Sequence, residues 1–279
     1  MKRQQVLLQL LRMRLRALSL VSKRKAGDAA FRIFCTPFSR MSYSKAQMEP
    51  AEVLSFQFKG QTTVGYRWNK GGTQKLLIAH GFSSASFNFR HLALLLAEKG
   101  YEVIAFDAPA HGLSEGKTLN AVDYKDFIQT VEQRLGPFHA WLGHSFGGLA
   151  MALALSDIPN NEDKKIVWIA PAANARQLTE SFFAQLKIEN QAVKDFFYAH
   201  IDQIGGHSID WYSIGRCASL IKSQVFWVHD HNDNITPIAD ALAVEKQGLP
   251  HFHFLFTSHL GHRRIYRDEK VIEQVVQFL

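Results

Sequence analysis

Two periods of hydrophobic residues organise the chain. Near the start, Leu7, Leu8, Leu11, Leu15 and Leu18 recur at three- and four-residue spacing, with Arg12 and Arg16 on another side. That spacing predicts a basic amphipathic helix over residues 5 to 25. A second apolar stretch runs from Ala29 to Phe34 and stops before Pro37. The polar run Ser39 to Glu49 reads as a linker, so residues 1–49 form an N-terminal helical segment.

After Pro50 the period changes. Val53, Phe56 and Phe58 lie in a strand-like run ending at Gly60, and Thr63 to Trp68 reads as its hairpin partner. From there short apolar runs alternate with helical stretches. The expected strands are Lys75–Ala79, Val103–Phe106, His139–Leu142, Lys165–Ala170, Val225–His229 and Phe252–Phe256. The expected helices are Phe87–Lys99, Val122–Leu135, Phe146–Leu155, Ile238–Gln247 and Asp268–Leu279. This alternation implies an α/β domain over residues 50–279, with a mostly parallel central sheet flanked by helices on both faces. One segment breaks the pattern. Residues 171–221 are too long for a simple crossover and are rich in aromatics, among them Phe182, Phe183, Phe196, Phe197 and Trp211. An inserted, mainly helical cap is expected there.

Composition changes the picture little. With 47% hydrophobic and 20% charged residues in 279, the chain is that of a globular protein with a substantial core. The formal charge of +7 would suggest an anionic partner, but ten basic residues against Asp28 alone lie in the first forty. The excess therefore belongs to the N-terminal segment, and nucleic-acid binding is not expected. That segment suits a helix lying on an anionic membrane surface. Leucine stripes more often dock on the protein body or on another subunit, and that reading stands beside it. Arg12, Arg14 and Arg16 interrupt the apolar start too early for a signal peptide, and no apolar run is long enough to span a bilayer. A cytoplasmic protein is expected, and peripheral contact at the inner membrane surface follows only if this helix lies on the membrane and does not dock. Cys35 and Cys217 sit in unlike contexts and read as two free thiols.

The sharpest motif is Gly143-His144-Ser145-Phe146-Gly147. It fits G-x-S-x-G, with a strand before it and a helix after it. A sharp strand-to-helix turn holds the serine in a strained conformation, and side chains at the glycine positions would clash. A serine hydroxyl is a poor nucleophile near neutral pH and needs a base. The chain order for this arrangement is Ser, acid, His. Asp233 follows the strand ending at His229, and His262 follows the strand ending near Phe256. Asp230 is the competing acid and His259 the competing base. No histidine spacing matches a metal motif such as H-E-x-x-H, so neither a metal nor another cofactor is expected.

In order and spacing, His80-Gly81-Phe82, Asp107 to Gly112, Gly143 to Gly148, the Asp233 to Pro237 loop and Gly261-His262 resemble the α/β-hydrolase superfamily. The resemblance covers residues 53–279. It implies that the backbone N–H groups of Phe82 and Phe146 form the oxyanion hole. Ala110 departs from it, because relatives usually carry glycine there. The implied activity is a serine hydrolase cleaving a carboxylic ester with a small to medium apolar acyl group. A C–C bond hydrolase, an acyltransferase and a non-catalytic ligand-binding member are the alternatives, since this fold hosts many chemistries.

Overall fold

The computed structural model describes residues 2–279, and the side chains from residue 5 onward. The side chains of Lys2 and Arg3, part of the basic start, lie outside the described residues. The chain opens with α1 (Lys2–Val21) and α2 (Lys23–Phe34). The sheet begins with β1 (Glu52–Phe58), β2 (Gln61–Trp68) and β3 (Gln74–Ala79), then α3 (Arg90–Glu98) and β4 (Tyr101–Phe106). It continues through α4 (Ala121–Leu135), β5 (Ala140–His144), α5 (Phe146–Ser156) and β6 (Lys165–Ile169). Then come α6 (Ala175–Leu186), α7 (Gln191–Gly205), the short α8 (Ile214–Cys217) and β7 (Gln224–Asp230). The chain ends through α9 (Ala239–Glu245), β8 (Phe252–Thr257), the short α10 (Gly261–Arg264) and α11 (Glu269–Phe278). It divides into two units. One joins Met1–Thr36 to Asn174–Tyr212, and the other joins Pro37–Ala173 to Ser213–Leu279.

The first unit is helical. The single helix expected over residues 5 to 25 is broken at Ser22, whose extended backbone ends α1 and whose hydroxyl caps α2 by accepting the Lys25 N–H. The leucine periodicity continues across the break, which hides it from the sequence pattern. Helix α2 packs closely on α7. Ala26 and Ala30 are fully buried, and a Cβ on Gly27 would lie 2.5 Å from Phe196 Cβ. Small residues on one face thus let two backbones approach. Around this seam Phe31, Phe34, Phe182, Phe183 and Phe197 pack edge-to-face and stacked. The Arg12 guanidinium donates to the Gln185 carbonyl at 2.7 and 3.0 Å, satisfying a carbonyl in the last turn of α6. Thus α1 and α2 pack on α6 and α7 of the long insertion, whereas the sequence pattern treats the two as separate segments.

The second unit holds one eight-stranded sheet, ordered β1-β2-β4-β3-β5-β6-β7-β8. Strands β1, β2 and β4 pair antiparallel, and every pairing from β4 through β3 to β8 is parallel. The parallel strands inside the sheet are buried along most of their length, as β5 shows at every position, while the edge strand β8 is buried only at Phe252. Buried strands of this kind read as continuous apolar runs, which is why the sequence finds them. Trp141, Trp168 and Trp227 are fully buried, and the last two pack edge-to-face across neighbouring strands. Helix α5 is apolar all round and buried from Gly147 to Leu155, so it belongs to the core and not to its surface. The order reverses at β3, with β4 on one side and β5 on the other. The loops after β3 and β5 therefore meet at the sheet's carboxyl edge, where open α/β sheets form their sites.

The run read as a linker is anchored in this unit. Tyr43 and Met48 are buried, Tyr43 Oη–H donates to Asp107 at 2.6 Å, and Arg40 donates to the Gly112 carbonyl at 2.7 Å. The boundary between units accordingly falls at residue 36/37, not near 49, and the insertion's share of the helical unit is residues 174–212.

Candidate active site

The turn after β5 carries Ser145 with φ 54° and ψ −123° at the N-cap of α5. A positive φ is strained for a residue with a side chain and persists only where the surroundings enforce it. Here they do. A Cβ on Gly147 would lie 2.4 Å from the Ala79 carbonyl oxygen, so only glycine lets α5 start this close to β3. Ser145 Oγ stands 2.9 Å from His262 Nε2. His262 Nδ1 stands 2.7 Å from Asp233 Oδ2. All three residues are buried, and the Asp233 side chain is fully so.

The Asp233 carboxylate is held from several sides. Oδ1 accepts the N–H groups of Ile235 and Thr236 at 2.8 and 2.9 Å, and Oδ2 accepts the Thr236 hydroxyl at 2.8 Å. Burial alone would raise its pKa, but hydrogen bonds from His262, Thr236 and Ile235 outweigh burial and hold it below the ordinary carboxylate value. The loop itself is pinned by Trp227 and His229. Trp227 Nε1–H donates to His229 Nδ1 at 3.1 Å, and His229 Nε2 donates to the Thr236 carbonyl at 2.7 Å. Sequence reading passed over Thr236. Its signal was the Asp-x-x-Thr spacing before Pro237, the local turn in which an Asp side chain accepts backbone N–H groups two and three residues on.

The competing residues are placed elsewhere. Asp230 Oδ2 accepts the Thr257 hydroxyl at 2.7 Å and the Leu260 N–H at 3.1 Å, so it braces the loop that carries His262. His259 is exposed, and its N–H donates to Asn232. Phe146 is the first residue of α5, where N–H groups have no intrahelical acceptor. Phe82 follows Gly81, where a Cβ would lie 2.8 Å from Ser145 Cβ. Both amides thus belong to backbone beside the serine, and the two half-buried rings pack edge-to-face at 5.6 Å. Among the described residues, no group of three or more His, Cys, Asp or Glu is arranged to hold a metal ion.

Three buried histidines brace these loops in the neutral state. His80 shares Nδ1 with the Gly81 carbonyl at 2.8 Å and accepts the Ala108 N–H on Nε2 at 2.9 Å. His111 bonds the Pro109 carbonyl through Nδ1 at 2.9 Å and accepts the Ser83 N–H on Nε2 at 3.0 Å. His144 Nε2 donates to the His262 carbonyl at 3.0 Å, and its buried Nδ1 has no hydrogen-bond partner. A second ring proton would have to face a backbone N–H on His80 and His111, or a buried position without an acceptor on His144. Burial pushes the three from the ordinary 6.5 down to about 4, about 3 and about 3. As pH falls below 6.5 the unfolded chain takes up protons that the folded chain refuses, so folding stability drops. Each histidine is expected to remove about 1.4 kcal/mol per pH unit while it titrates. Denaturant midpoints at neutral and mildly acid pH measure this, and an unchanged midpoint refutes the neutral assignment.

Ala110 explains its own departure from glycine at a cost. Its φ is 68°, in the left-handed region, with its N–H bonded to the Glu115 carbonyl at 2.7 Å. An alanine there is strained by about 1 kcal/mol relative to glycine. Ala110→Gly is expected to raise the unfolding free energy by up to that amount in chemical denaturation. A loss of stability would mean that the methyl group packs more than it strains.

The model of the alpha/beta hydrolase family matches residues 76–273. The chain is 29% identical over 147 residues to a monoglyceride lipase of Homo sapiens, covering 48% of each protein. It is 31% identical over 108 residues to an uncharacterized hydrolase, YugF, of Bacillus subtilis, covering 37% of this chain and 39% of the relative. The matches span less than half the length of these relatives. Among solved structures, an esterase of Pyrococcus furiosus aligns with a TM-score of 0.65 at 16% identity, over 88% of this chain and 97% of that one. A bacterial membrane phospholipase A aligns with a TM-score of 0.62 at 16% identity, over 100% of this chain and 98% of that one. At such identities the structural likeness is one of fold.

Proposed function

The chain belongs to the alpha/beta hydrolase family, and from that premise we propose that it is a serine hydrolase cleaving carboxylic esters through an acyl-enzyme. The observation that carries the reading is the continuous line from Ser145 Oγ to His262 Nε2 at 2.9 Å and from His262 Nδ1 to Asp233 Oδ2 at 2.7 Å. In this reading His262 takes the Ser145 proton as Oγ attacks the ester carbonyl carbon. The Phe82 and Phe146 amides bind the developing oxyanion, each worth about 2.7 to 4 kcal/mol of barrier. Asp233 holds the tautomer in which Nε2 is free to accept, and stabilises the imidazolium. His262 then protonates the leaving alcohol. A water activated by the same histidine attacks the acyl-enzyme, and Ser145 regains its proton.

The names of the human monoglyceride lipase and the archaeal esterase support an ester as the substrate class. The paired rings of Phe82 and Phe146 support an apolar acyl group of small to medium length. A fluorophosphonate probe and a series of p-nitrophenyl esters from acetate to octanoate test the reading together. Labelling of Ser145 is expected. So is a kcat/KM that climbs with chain length, with about 0.8 kcal/mol available per buried CH₂. A flat or falling series removes the apolar preference. Labelling without turnover of any ester moves the protein to C–C cleavage, acyl transfer or ligand binding.

A further inference from the structure

Helix α1 carries two apolar faces, and only one of them is used inside the protein. Leu15 is buried and Leu8, Leu11 and Leu18 are half-buried. At 3.6 residues per turn these four share one side, which docks within the helical unit. On nearly the opposite side lies a second stripe of Val6, Leu10, Met13, Ala17, Leu20 and Val21. All six are exposed, Met13 at 59% and Leu20 at 86%. Six consecutive apolar positions of one face, standing in water along the whole described helix, are not the scattered apolar residues of an ordinary surface.

The flanks of this stripe say what covers it. Exposed Arg14 borders it on one side and exposed Arg16 on the other, and exposed Arg24 and Lys25 follow in the first turn of α2. No acidic residue occurs before Asp28, and Asp28 is held at 2.8 Å by His200. An apolar stripe edged by long cations is the pattern of a helix lying in the interface of an anionic bilayer, its side chains in the acyl boundary and its guanidinium groups at the phosphates. A second copy fits worse, because a symmetric contact along α1 would set Arg14 and Arg16 against like charges. The helix is not apolar enough to cross the membrane.

We propose that the Val6–Leu10–Met13–Ala17–Leu20 face of α1 docks the protein peripherally on an anionic lipid bilayer. The inference is independent of the chemistry at Ser145. Co-sedimentation of the full chain with vesicles tests it. Vesicles of equimolar phosphatidylcholine and phosphatidylglycerol are compared with phosphatidylcholine alone. The full chain is expected to bind the anionic vesicles about tenfold or more tightly, and to lose that margin as salt screens the surface. Leu10→Gln with Met13→Gln, both at exposed positions, is expected to cut binding by about tenfold or more while the circular dichroism spectrum stays unchanged. Arg14→Gln with Arg16→Gln leaves the stripe intact and is expected to cut low-salt binding by roughly tenfold. Absence of vesicle binding, or binding that the stripe variant leaves untouched, overturns the proposal. A dimer that the stripe variant abolishes, with no vesicle binding, also overturns it and puts a second copy on the face.

Discussion

Ser145→Ala is expected to lower kcat toward esters by about 10⁴- to 10⁶-fold and to abolish fluorophosphonate labelling. On the proposed mechanism the loss is that large because the hydroxyl 2.9 Å from His262 Nε2 is the attacking atom, and the remaining groups act only on a reaction it begins. Residual catalysis over water, from the oxyanion donors and binding, is the expected floor. The fold tolerates the change, since alanine keeps the backbone and fills nearly the same volume. Ser145→Gly separates chemistry from folding. It is equally inactive, but it relieves the strain of φ 54° and is expected to gain up to about 1 kcal/mol in unfolding free energy. Labelling that persists at another serine, or turnover retained in Ser145→Ala, sinks the assignment.

Asp233→Asn is expected to cost about 10⁴-fold in kcat with little change in KM. An asparagine at this position presents an amide N–H to His262 Nδ1. The ring then settles with its proton on Nε2, facing Ser145, where it can no longer act as base. Asp230→Asn discriminates. Its carboxylate supports Thr257 and Leu260 and does not touch His262. That variant is expected to lose about 1 to 3 kcal/mol of stability while keeping most of its kcat. Reversed effects would make Asp230 the acid.

The turn at Ser145 was legible because its physics is local. A turn that forces a positive φ on Ser145 and drives Gly147 onto the Ala79 carbonyl leaves glycine as the only choice at fixed spacing. The sheet was legible because strands buried on both faces must be apolar throughout. The choice between Asp230 and Asp233 was harder. Asp230 and Asp233 follow the same strand three residues apart, and which one turns toward the histidine depends on Thr236 and on the Trp227–His229 pair beneath the loop. The order of Tyr43 and Met48 was hidden, because two apolar residues in a polar run have no period. The partner of the N-terminal helices was hidden for another reason. A leucine stripe records that a face is covered, but not by what, and on α1 it could not separate the face that docks from the face that stays in water.

The composition of the helical unit sets an order of events during synthesis. Its first part ends with α2 at Phe34, and the helices that complete it begin with α6 at Ala175, roughly 140 residues later. At about 5 to 20 residues per second, the ribosome needs roughly 7 to 30 seconds to supply them. Through that interval Leu15, Ala26, Ala30, Phe31 and Phe34 have no α6 or α7 to cover them. Closing a loop of this length costs only a few kcal/mol more than closing a short one, because the entropy grows with the logarithm of length. The burden is one of time: nascent α1 and α2 must avoid other partners until their own has been made.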